Sequence, residues 1–375
     1  MIPLSAKLLT GWDAEPFVAR IRGASRRDAD SRELPAANVS ASAVWVSLAN
    51  HSGNSCREIR VPEELAYLSD GDVVCINPRR SEIWVVYRRA STSNSLLLTE
   101  QCNSYCVMCS QPPKSGPDGF LVDVALSAIP LFDRATAEIG LTGGEPTLLG
   151  DRLFEVLDCL RTNLPETAVH MLSNGRRFSD LAFTAEFSRH LPADFMAGIP
   201  LYSDLAYTHD FVVQAANAFD ETIRGILNLA CCQVPVEIRV VVQAANAGRL
   251  IELSEFLVRN LPFVAHVAFM GLEMMGFARP NAEAIWIDPA EYRDRLAAAT
   301  RLLSDAGIPV SVYNHQLCTL DRSLWPFARK SISDWKREYL PECAECAVQQ
   351  ECGGFFFSSM SRRSRLIGPI GESEC

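Results

Sequence analysis

No stretch of this 375-residue chain approaches the ~20 consecutive apolar residues of a membrane span. The opening MIPLSAKLLTGWDAEPF also lacks the apolar core of a signal peptide. Together these absences lead us to expect a cytoplasmic protein with no membrane partner. Positive charge is short as well: 35 Lys and Arg stand against 45 Asp and Glu, for a formal net charge of −10. That balance argues against a protein whose main task is gripping a phosphate backbone, so nucleic acid is a poor default partner. The small basic run Arg362, Arg363 and Arg365 reads as a solvated tail. Cysteine is too sparse for a disulfide scaffold: 13 residues in 375 fall well below the roughly 8–10% of such proteins. In a reducing cytoplasm, clustered cysteines are metal ligands or catalysts instead. Internal repeats and low-complexity tracts are missing too, which excludes an array.

What is present is a regular alternation. From Ser95 onward, short apolar runs at Leu96–Leu98, Glu138–Thr142, Val169–Leu172, Phe195–Ile199, Val236–Val242 and Val264–Met270 read as buried parallel strands. Helical patterns separate or follow them at Asp151–Arg161, Leu181–His190, Asp220–Leu229, Arg249–Arg259 and Pro289–Asp305. Six such units predict an α/β fold, a partial (β/α)6 barrel over residues 91–308, with a doubly wound sheet as the alternative. Residues 1–90 differ. Short strands at Ala43–Leu48, Glu58–Val61, Val73–Ile76 and Glu82–Arg88, with turns at Ser52–Asn54, Ser69–Asp72 and Asn77–Ser81, predict a small mostly-β domain. Its expected role is either docking a peptide on the edge of Val73–Ile76 with Glu82–Arg88, or capping the barrel. Arg89–Asn94 is the candidate linker, and residues 309–375 form a C-terminal extension.

The densest chemistry lies in LLLTEQCNSYCVMCSQPPK, where Cys102, Cys106 and Cys109 follow the first predicted barrel strand as CxxxCxxC. In a barrel of parallel strands that position is the C-terminal rim, where active-site loops sit. Three thiolates on one loop can hold three irons of a cubane and leave the fourth open. Zinc or three structural cysteines are the competing readings, though a closed zinc site wants a fourth ligand and no Cys or His follows nearby. The spacing resembles the signature of the radical SAM superfamily. The resemblance implies a [4Fe–4S] cluster whose open iron chelates S-adenosylmethionine and whose electron releases a 5′-deoxyadenosyl radical. Members usually carry an aromatic residue before the third cysteine; here Met108 offers a polarizable apolar surface instead.

Three further segments extend the pattern. The second strand runs into Gly143-Gly144-Glu145-Pro146, where two glycines permit close backbone approach to a ligand and a carboxylate suits an ammonium; an ordinary strand-to-helix turn is the alternative. It resembles the superfamily's motif for the methionyl amino group. The third strand ends at Ser173 and Asn174, which either present hydrogen-bonding groups at the rim or make a simple Asn-Gly turn. The resemblance gives this position the ribose or the methionyl carboxylate. Arg239 is a charge inside an apolar strand, so it meets either a salt-bridge partner or an anion, and the resemblance implies the cofactor carboxylate. Tyr202, Ser203, His209 and Asp210 receive no role, because a lone His is more often a cap or core residue.

A second group comprises Cys318, Cys343, Cys346 and Cys352, with His315 as a substitute for Cys318. Four thiolates close a metal site, either an iron–sulfur cluster or a structural zinc. The pattern resembles the SPASM or twitch extension that binds auxiliary clusters, cut short at Gly353-Gly354, which implies one auxiliary [4Fe–4S] cluster. Cys56, Cys75, Cys159, Cys231 and Cys232 are expected to be buried apolar residues. Over Ser95 to Phe356, SLLLTEQCNSYCVMCSQPPK, LTGGEPTLL and WPFARKSISDWKREYLPECAECAVQQECGGFF resemble His-Xaa-Ser system radical SAM maturases of the HxsC type. That resemblance implies a precursor peptide substrate with His-Xaa-Ser repeats and a reductase or a flavodoxin- or ferredoxin-type electron donor. Two other readings stand beside it: a radical SAM enzyme for a small molecule or RNA, and a non-catalytic iron–sulfur or zinc module.

Overall fold

The computed structural model describes residues 4–8, 14–27, 43–49, 57–330, 338–360 and 362–372. The expected turn at Ser52–Asn54, the cysteines Cys56 and Cys375, and residues 331–337 lie outside them. The strands are β1 (Ser5–Lys7), β2 (Phe17–Arg27), β3 (Ala43–Ala49), β4 (Arg57–Val61), β5 (Val73–Asn77), β6 (Glu82–Tyr87), β7 (Asn94–Leu97), β8 (Glu138–Thr142), β9 (Ala168–Leu172), β10 (Phe195–Pro200), β11 (Val236–Val241), β12 (His266–Met270), β13 (Val310–Tyr313) and β14 (Ala328–Arg329). The helices are α1 (Phe120–Ala128), α2 (Asp151–Asn163), α3 (Leu181–Arg189), α4 (Ala206–Val213), α5 (Ala218–Cys231), α6 (Leu250–Asn260), α7 (Ala282–Ile285) and α8 (Pro289–Asp305). None is long and apolar enough to cross a membrane among the described residues.

The main sheet is parallel, eight strands in the order β14-β13-β12-β11-β10-β9-β8-β7, open between β14 and β7. The expected α/β architecture is present, with two more strands than the six expected. β13 and β14 fall where the extension was placed, and β14, at two residues, is too short to leave a periodic signal. Helices α1, α4 and α7 were also not anticipated. Along β9 and β12 the side chains alternate: Val169, Met171, Val267 and Phe269 are buried in the main core, while His170 and His266 belong to the opposite face. Helices cover the apolar face. Their starts are set by local caps: Asp180 accepts from the N–H groups of Ala182 and Phe183 at α3, and Asp288 from Ala290 at α8, with Pro289 at the first helical position. Asp288 also receives the hydroxyl of Ser364 and the N–H of Arg365, so the cap that begins α8 anchors the C-terminal segment.

The N-terminal sheet is antiparallel, in the order β1-β6-β5-β2-β3-β4, around a small core that includes Ile21, Ile59, Leu65, Val74, Ile76 and Ile83. The expectation of an open edge at Val73–Ile76 and Glu82–Arg88 is corrected here. β5 lies between β6 and β2, and β6 is paired with β1, because two strands missed in the sequence, β1 and β2, cover them. The candidate linker Arg89–Asn94 is held at both ends: Arg89 Nε pairs with Asp133 at 2.6 Å, and Asn94 already belongs to β7. Tyr87 stacks on Phe132 with ring centroids 4.3 Å apart and joins the main core together with Val73.

Two buried histidines record the acid limit of this packing. The Nδ1 of His315 bonds Tyr313 O and its Nε2 bonds the Tyr292 hydroxyl, each at 2.8 Å; the Nδ1 of His209 accepts the Tyr202 N–H at 3.2 Å. Burial pushes each imidazole down to about 4. Both values lie below the unfolded value of about 6.5, so the folded state binds fewer protons; the stability is present above about pH 6.5 and is lost as pH falls through about 4. Thermal unfolding midpoints should therefore fall across that window, and His209→Gln should flatten the slope. A midpoint independent of pH between these values would contradict the assignment.

Candidate functional site

The cysteine loop is an extension of the sheet. After β7, Leu98 N–H still bonds Thr142 O at 2.9 Å; Gly144 N–H then bonds Thr99 O and Glu145 N–H bonds Gln101 O, both at 2.7 Å. Two rim loops thus lie side by side, and the glycines follow from that contact. A Cβ on Gly143 would stand 2.8 Å from Thr99 O, and one on Gly144 would stand 2.1 Å from Gln101 O. The cysteine loop occupies the space that a side chain would take at either position.

Glu145 is fully buried, and its carboxylate is also claimed by the chain. Oε1 accepts Thr147 N–H at 3.0 Å, Thr147 Oγ1 at 2.6 Å and Ser173 Oγ at 2.8 Å, while Oε2 accepts Asn174 N–H at 2.6 Å. Burial pushes this carboxyl up, and the bonds from Thr147, Asn174 and Ser173 oppose the push. Pro146 is buried at the start of the short turn Pro146–Leu149 that Glu145 caps. The carboxylate therefore joins the rim loops after β8 and β9, where the sequence reading offered it to an ammonium. Ser173 is engaged likewise, donating to Glu145 and accepting Gly175 N–H at 3.1 Å. Asn174 faces the cysteine loop: its Nδ2 bonds Asn103 Oδ1 at 2.6 Å and lies 4.0 Å from Cys102 Sγ.

Cys102, Cys106 and Cys109 are half-buried on a loop held from several directions. Tyr105 and Val107 donate to Val213 O and Val212 O at 3.0 and 2.9 Å, Asn281 Nδ2 donates to Val107 O at 2.8 Å, and Arg176 Nη1 donates to Asn103 O at 2.6 Å. Met108 is buried in the cluster that contains Tyr202, Val212 and Met274. Burial pushes the Cys106 thiol up to about 12, and the neighbouring Cys109 and Cys102 sulfurs add to the push. Burial likewise raises Cys102 and Cys109. Three neighbouring thiols, of which Cys102 and Cys106 are further opposed in ionising by the nearby sulfurs, make a donor set suited to a positively charged group. Among the described residues no three His, Cys, Asp or Glu side chains stand close enough for a single metal ion. Thiolates around a cubane stand farther apart, since each meets a different iron.

Two residues near this loop escaped sequence reading. Arg176 braces it while paired to Glu221 at 2.6 Å. Gln243, fully buried, brings Nε2 to 3.8 Å from Met108 Sδ and leaves Oε1 without a hydrogen-bond partner. A lone polar residue after the apolar run VEIRVVV was its only signal. His209 and Asp210, left without a role above, are structural: Asp210 accepts the N–H groups of Asn217 and Phe219 at 2.7 and 2.8 Å, at the start of α5.

Below the rim, the polar face of the sheet encloses a cavity of about 680 Å³ lined by residues of β8 to β13 and reaching Met108 and Ser110. Arg239 lies there. Its Nη1 pairs with Glu237 Oε1 at 2.7 Å and its Nη2 lies 3.3 Å from Met270 Sδ. Glu237 also meets His266 Nδ1 at 2.8 Å. Burial pushes its carboxyl up, but the His266 bond and the charge of Arg239 prevail and hold it at about 2.

Cys318, Cys343, Cys346 and Cys352 line one small pocket with Leu317, Tyr339 and Phe355. Burial raises Cys318 and Cys352, and backbone N–H groups of Gly368 at Cys318 and of Gly354 and Leu317 at Cys352 oppose the rise. His315 is excluded from this group, since Tyr292 and Tyr313 take both ring nitrogens. Cys75 is buried as expected, Cys159 and Cys232 are half-buried, and Cys231 is exposed at the end of α5, contrary to expectation.

No family model matches the chain. Over 97 residues it is 33% identical to GTP 3′,8-cyclase of Paenarthrobacter nicotinovorans, a match covering 24% of this chain and 26% of the cyclase. The chain thus spans about a quarter of the curated relative it matches. Among solved structures it is similar to Streptococcus suis SuiB bound to S-adenosylmethionine, with TM-score 0.47, 13% identity, and coverage of 60% of this chain and 51% of SuiB. A second similar structure is native anSMEcpe with bound AdoMet and Kp18Cys peptide, at TM-score 0.45 and 18% identity over 58% of this chain and 63% of that one. A third is a radical SAM methyltransferase from Sphaerobacter thermophilus, at TM-score 0.43 and 14% identity over 78% and 76%.

The bonds of Glu145 set the cost of altering it. In Glu145→Gln an amide NH2 replaces one acceptor oxygen and faces a backbone N–H, so a buried donor loses its partner. We expect a loss of about 2–4 kcal/mol in urea unfolding. A variant as stable as the wild type would show that the carboxylate does not hold the rim loops.

Proposed function

We propose that this chain is a radical SAM enzyme. One observation carries the reading: the cysteine loop, the Gly143–Pro146 turn and the Ser173–Asn174 turn, far apart in sequence, are bonded to one another at the same end of the sheet. Cys102, Cys106 and Cys109 would hold a [4Fe–4S] cluster with one iron free of protein ligands. Reduced, that cluster would supply the electron that cleaves S-adenosylmethionine to methionine and a 5′-deoxyadenosyl radical, which takes hydrogen from a substrate C–H bond. The chain's part is to place the cofactor and keep solvent out. The backbone of Gly143, Gly144 and Pro146, held in place by Glu145, would meet the methionyl amino group. Ser173 and Asn174 would form the wall beside Cys102, and Arg239 would meet the methionyl carboxylate after loosening its pair with Glu237.

Cys318, Cys343, Cys346 and Cys352 would hold one auxiliary [4Fe–4S] cluster, a reading supported by their shared pocket and by the N–H groups that face Cys318 and Cys352. The substrate in this reading is a precursor peptide, with His-Xaa-Ser repeats as the resemblance implies, and a flavodoxin- or ferredoxin-type protein or a reductase delivers the electron. The N-terminal domain acts as a cap on the barrel, which the Tyr87–Phe132 stacking supports. A small-molecule substrate is the second reading, favoured by the 97-residue likeness to GTP 3′,8-cyclase.

Two experiments test the two cluster sites. Anaerobically reconstituted and reduced, the protein should turn S-adenosylmethionine into 5′-deoxyadenosine, and Cys106→Ala should keep the fold, by circular dichroism, and lose the product. Unchanged product formation by the variant would end the proposal. A variant with Cys102, Cys106 and Cys109 all changed to Ala should still carry about four irons per chain, the content of one cubane. Stoichiometric zinc with no iron would establish a structural zinc site instead.

A further inference from the structure

The basic run Arg362, Arg363 and Arg365 reads from sequence as a solvated tail, but in the structure its segment folds back on the barrel. Ser364 and Arg365 are held by the Asp288 cap of α8, and Ser359 Oγ accepts the N–H of Met274 at 3.4 Å. The Arg362 guanidinium lies over the Trp286 ring, 5.8 Å from its centroid. Met274 in turn packs in the cluster that contains Met108 of the cysteine loop. The segment is thus fastened to the same rim that carries the three thiols.

The fold-back encloses a second cavity, of about 60 Å³, between the ends of β11, β12 and β13 and the C-terminal segment. One water needs about 15 Å³ of such space, so this cavity takes a small head group such as a carboxylate. Arg362, Arg363 and Ser359 line it from the C-terminal side, and among the described residues that line it none is Asp or Glu. Both guanidiniums have partners, and these lie outside the lining: Arg362 Nη2 pairs with Glu283 Oε1, Arg363 Nε donates to Met360 O at 2.8 Å, and Arg363 Nη1 stands 3.7 Å from Glu342 Oε1. Glu283 is 88% exposed and Glu342 45%, and pairs with such exposed carboxylates are weak enough for a ligand to displace. Each guanidinium also carries five N–H donors, more than these contacts use.

Four residues, Gly271, Leu272, Asn314 and Phe356, line both this cavity and the larger one beneath the cysteine loop. The two spaces are therefore neighbours at the ends of β12 and β13. Their shared wall is tightly built: Gly271 N–H bonds Tyr313 O at 2.9 Å, and a Cβ on Gly271 would stand 2.3 Å from Asn314 O. Asn314 is held at a φ of 59°, a left-handed conformation that is uncommon outside glycine and gathers at binding sites.

We infer that the smaller cavity anchors a carboxylate carried by the substrate, gripped by Arg362 and Arg363, and that the rest of the substrate passes the shared wall at Phe356 toward the cysteine loop. The planar fork of a guanidinium matches the two oxygens of a carboxylate, and the bonds are strengthened by charge on both sides. A neutral head of the same shape forgoes that gain, and a cationic head meets like charge. The inference rests on the proposed function in calling the bound molecule a substrate; carboxylate binding itself is read without turnover.

The test is isothermal titration of the reconstituted full chain with N-acetyl-phenylalanine, its amide of nearly the same shape, and phenyl phosphate. The acid should bind at least about tenfold more tightly than the amide, and a double variant with Arg362→Gln and Arg363→Gln should cut that preference to about twofold. Arg365→Gln removes an equal charge from the same run at a residue outside the cavity lining, and it should keep the preference. Should the double variant fail to fold by circular dichroism, Arg363→Gln alone should reduce the preference by about threefold. Equal affinity for acid and amide, a preference that survives the double variant, its loss in Arg365→Gln, or no binding of the acid at about 10 mM would each overturn the inference. Tighter binding of phenyl phosphate than of the acid would make the ligand a phosphate and overturn it too. Formation of 5′-deoxyadenosine without any probe is measured separately, so a failed ranking with intact product formation leaves the proposed function standing, and the reverse result leaves the carboxylate site standing.

Discussion

The buried carboxylate of Glu145 is the constraint on which the rim of this protein depends. A carboxylate with no exposed surface is costly unless each lone pair is met. Here the donors come from two different strand ends: Thr147 beyond β8 and Ser173 and Asn174 beyond β9. The same turn is bonded through Gly144 and Glu145 to the cysteine loop beyond β7. Three loops that would otherwise wander independently are thereby made into one surface, and the three thiols inherit its rigidity.

Beneath that surface the parallel sheet separates two environments by strand periodicity alone. One face packs Val169, Met171, Val267 and Phe269 into the main core. The other carries His170, Glu237, Arg239 and His266 around an open space, with Glu237 bonded to both Arg239 and His266. Ionisable groups in such numbers would destabilise a closed core. They are tolerated because water or a ligand can reach the space they enclose.

The C-terminal cysteines follow another logic. Cys318 lies in a short turn after β13, Cys343 and Cys346 come after residues 331–337, and Cys352 follows them closely. Their gathering depends on docking of the last residues: Ser364 and Arg365 bind the Asp288 cap of α8, Ala347 N–H bonds Ile370 O, and Ile370 N–H faces Cys346 Sγ at 3.4 Å. The helix cap and the second thiol group are thus parts of one arrangement.

Much was legible in the sequence. Apolar runs of period two and helical stretches of period 3.6 report local burial, so six parallel strands and most of the helices could be read directly, as could both cysteine groups, whose spacing is itself local. Only the tertiary structure decided the rest. β1, β2 and β14 are held by pairing partners more than by pattern, which closed the edge that the sequence seemed to leave open on β5 and β6. The partners of Gly144 and Glu145 include residues beyond β7 and β9, so the glycine proved to admit the chain's own loop, and the carboxylate proved to tie loops together. A sequence displays which residue types a position will accept; what a buried polar atom bonds to depends on which distant segment folds against it, and that is set only when the strands align.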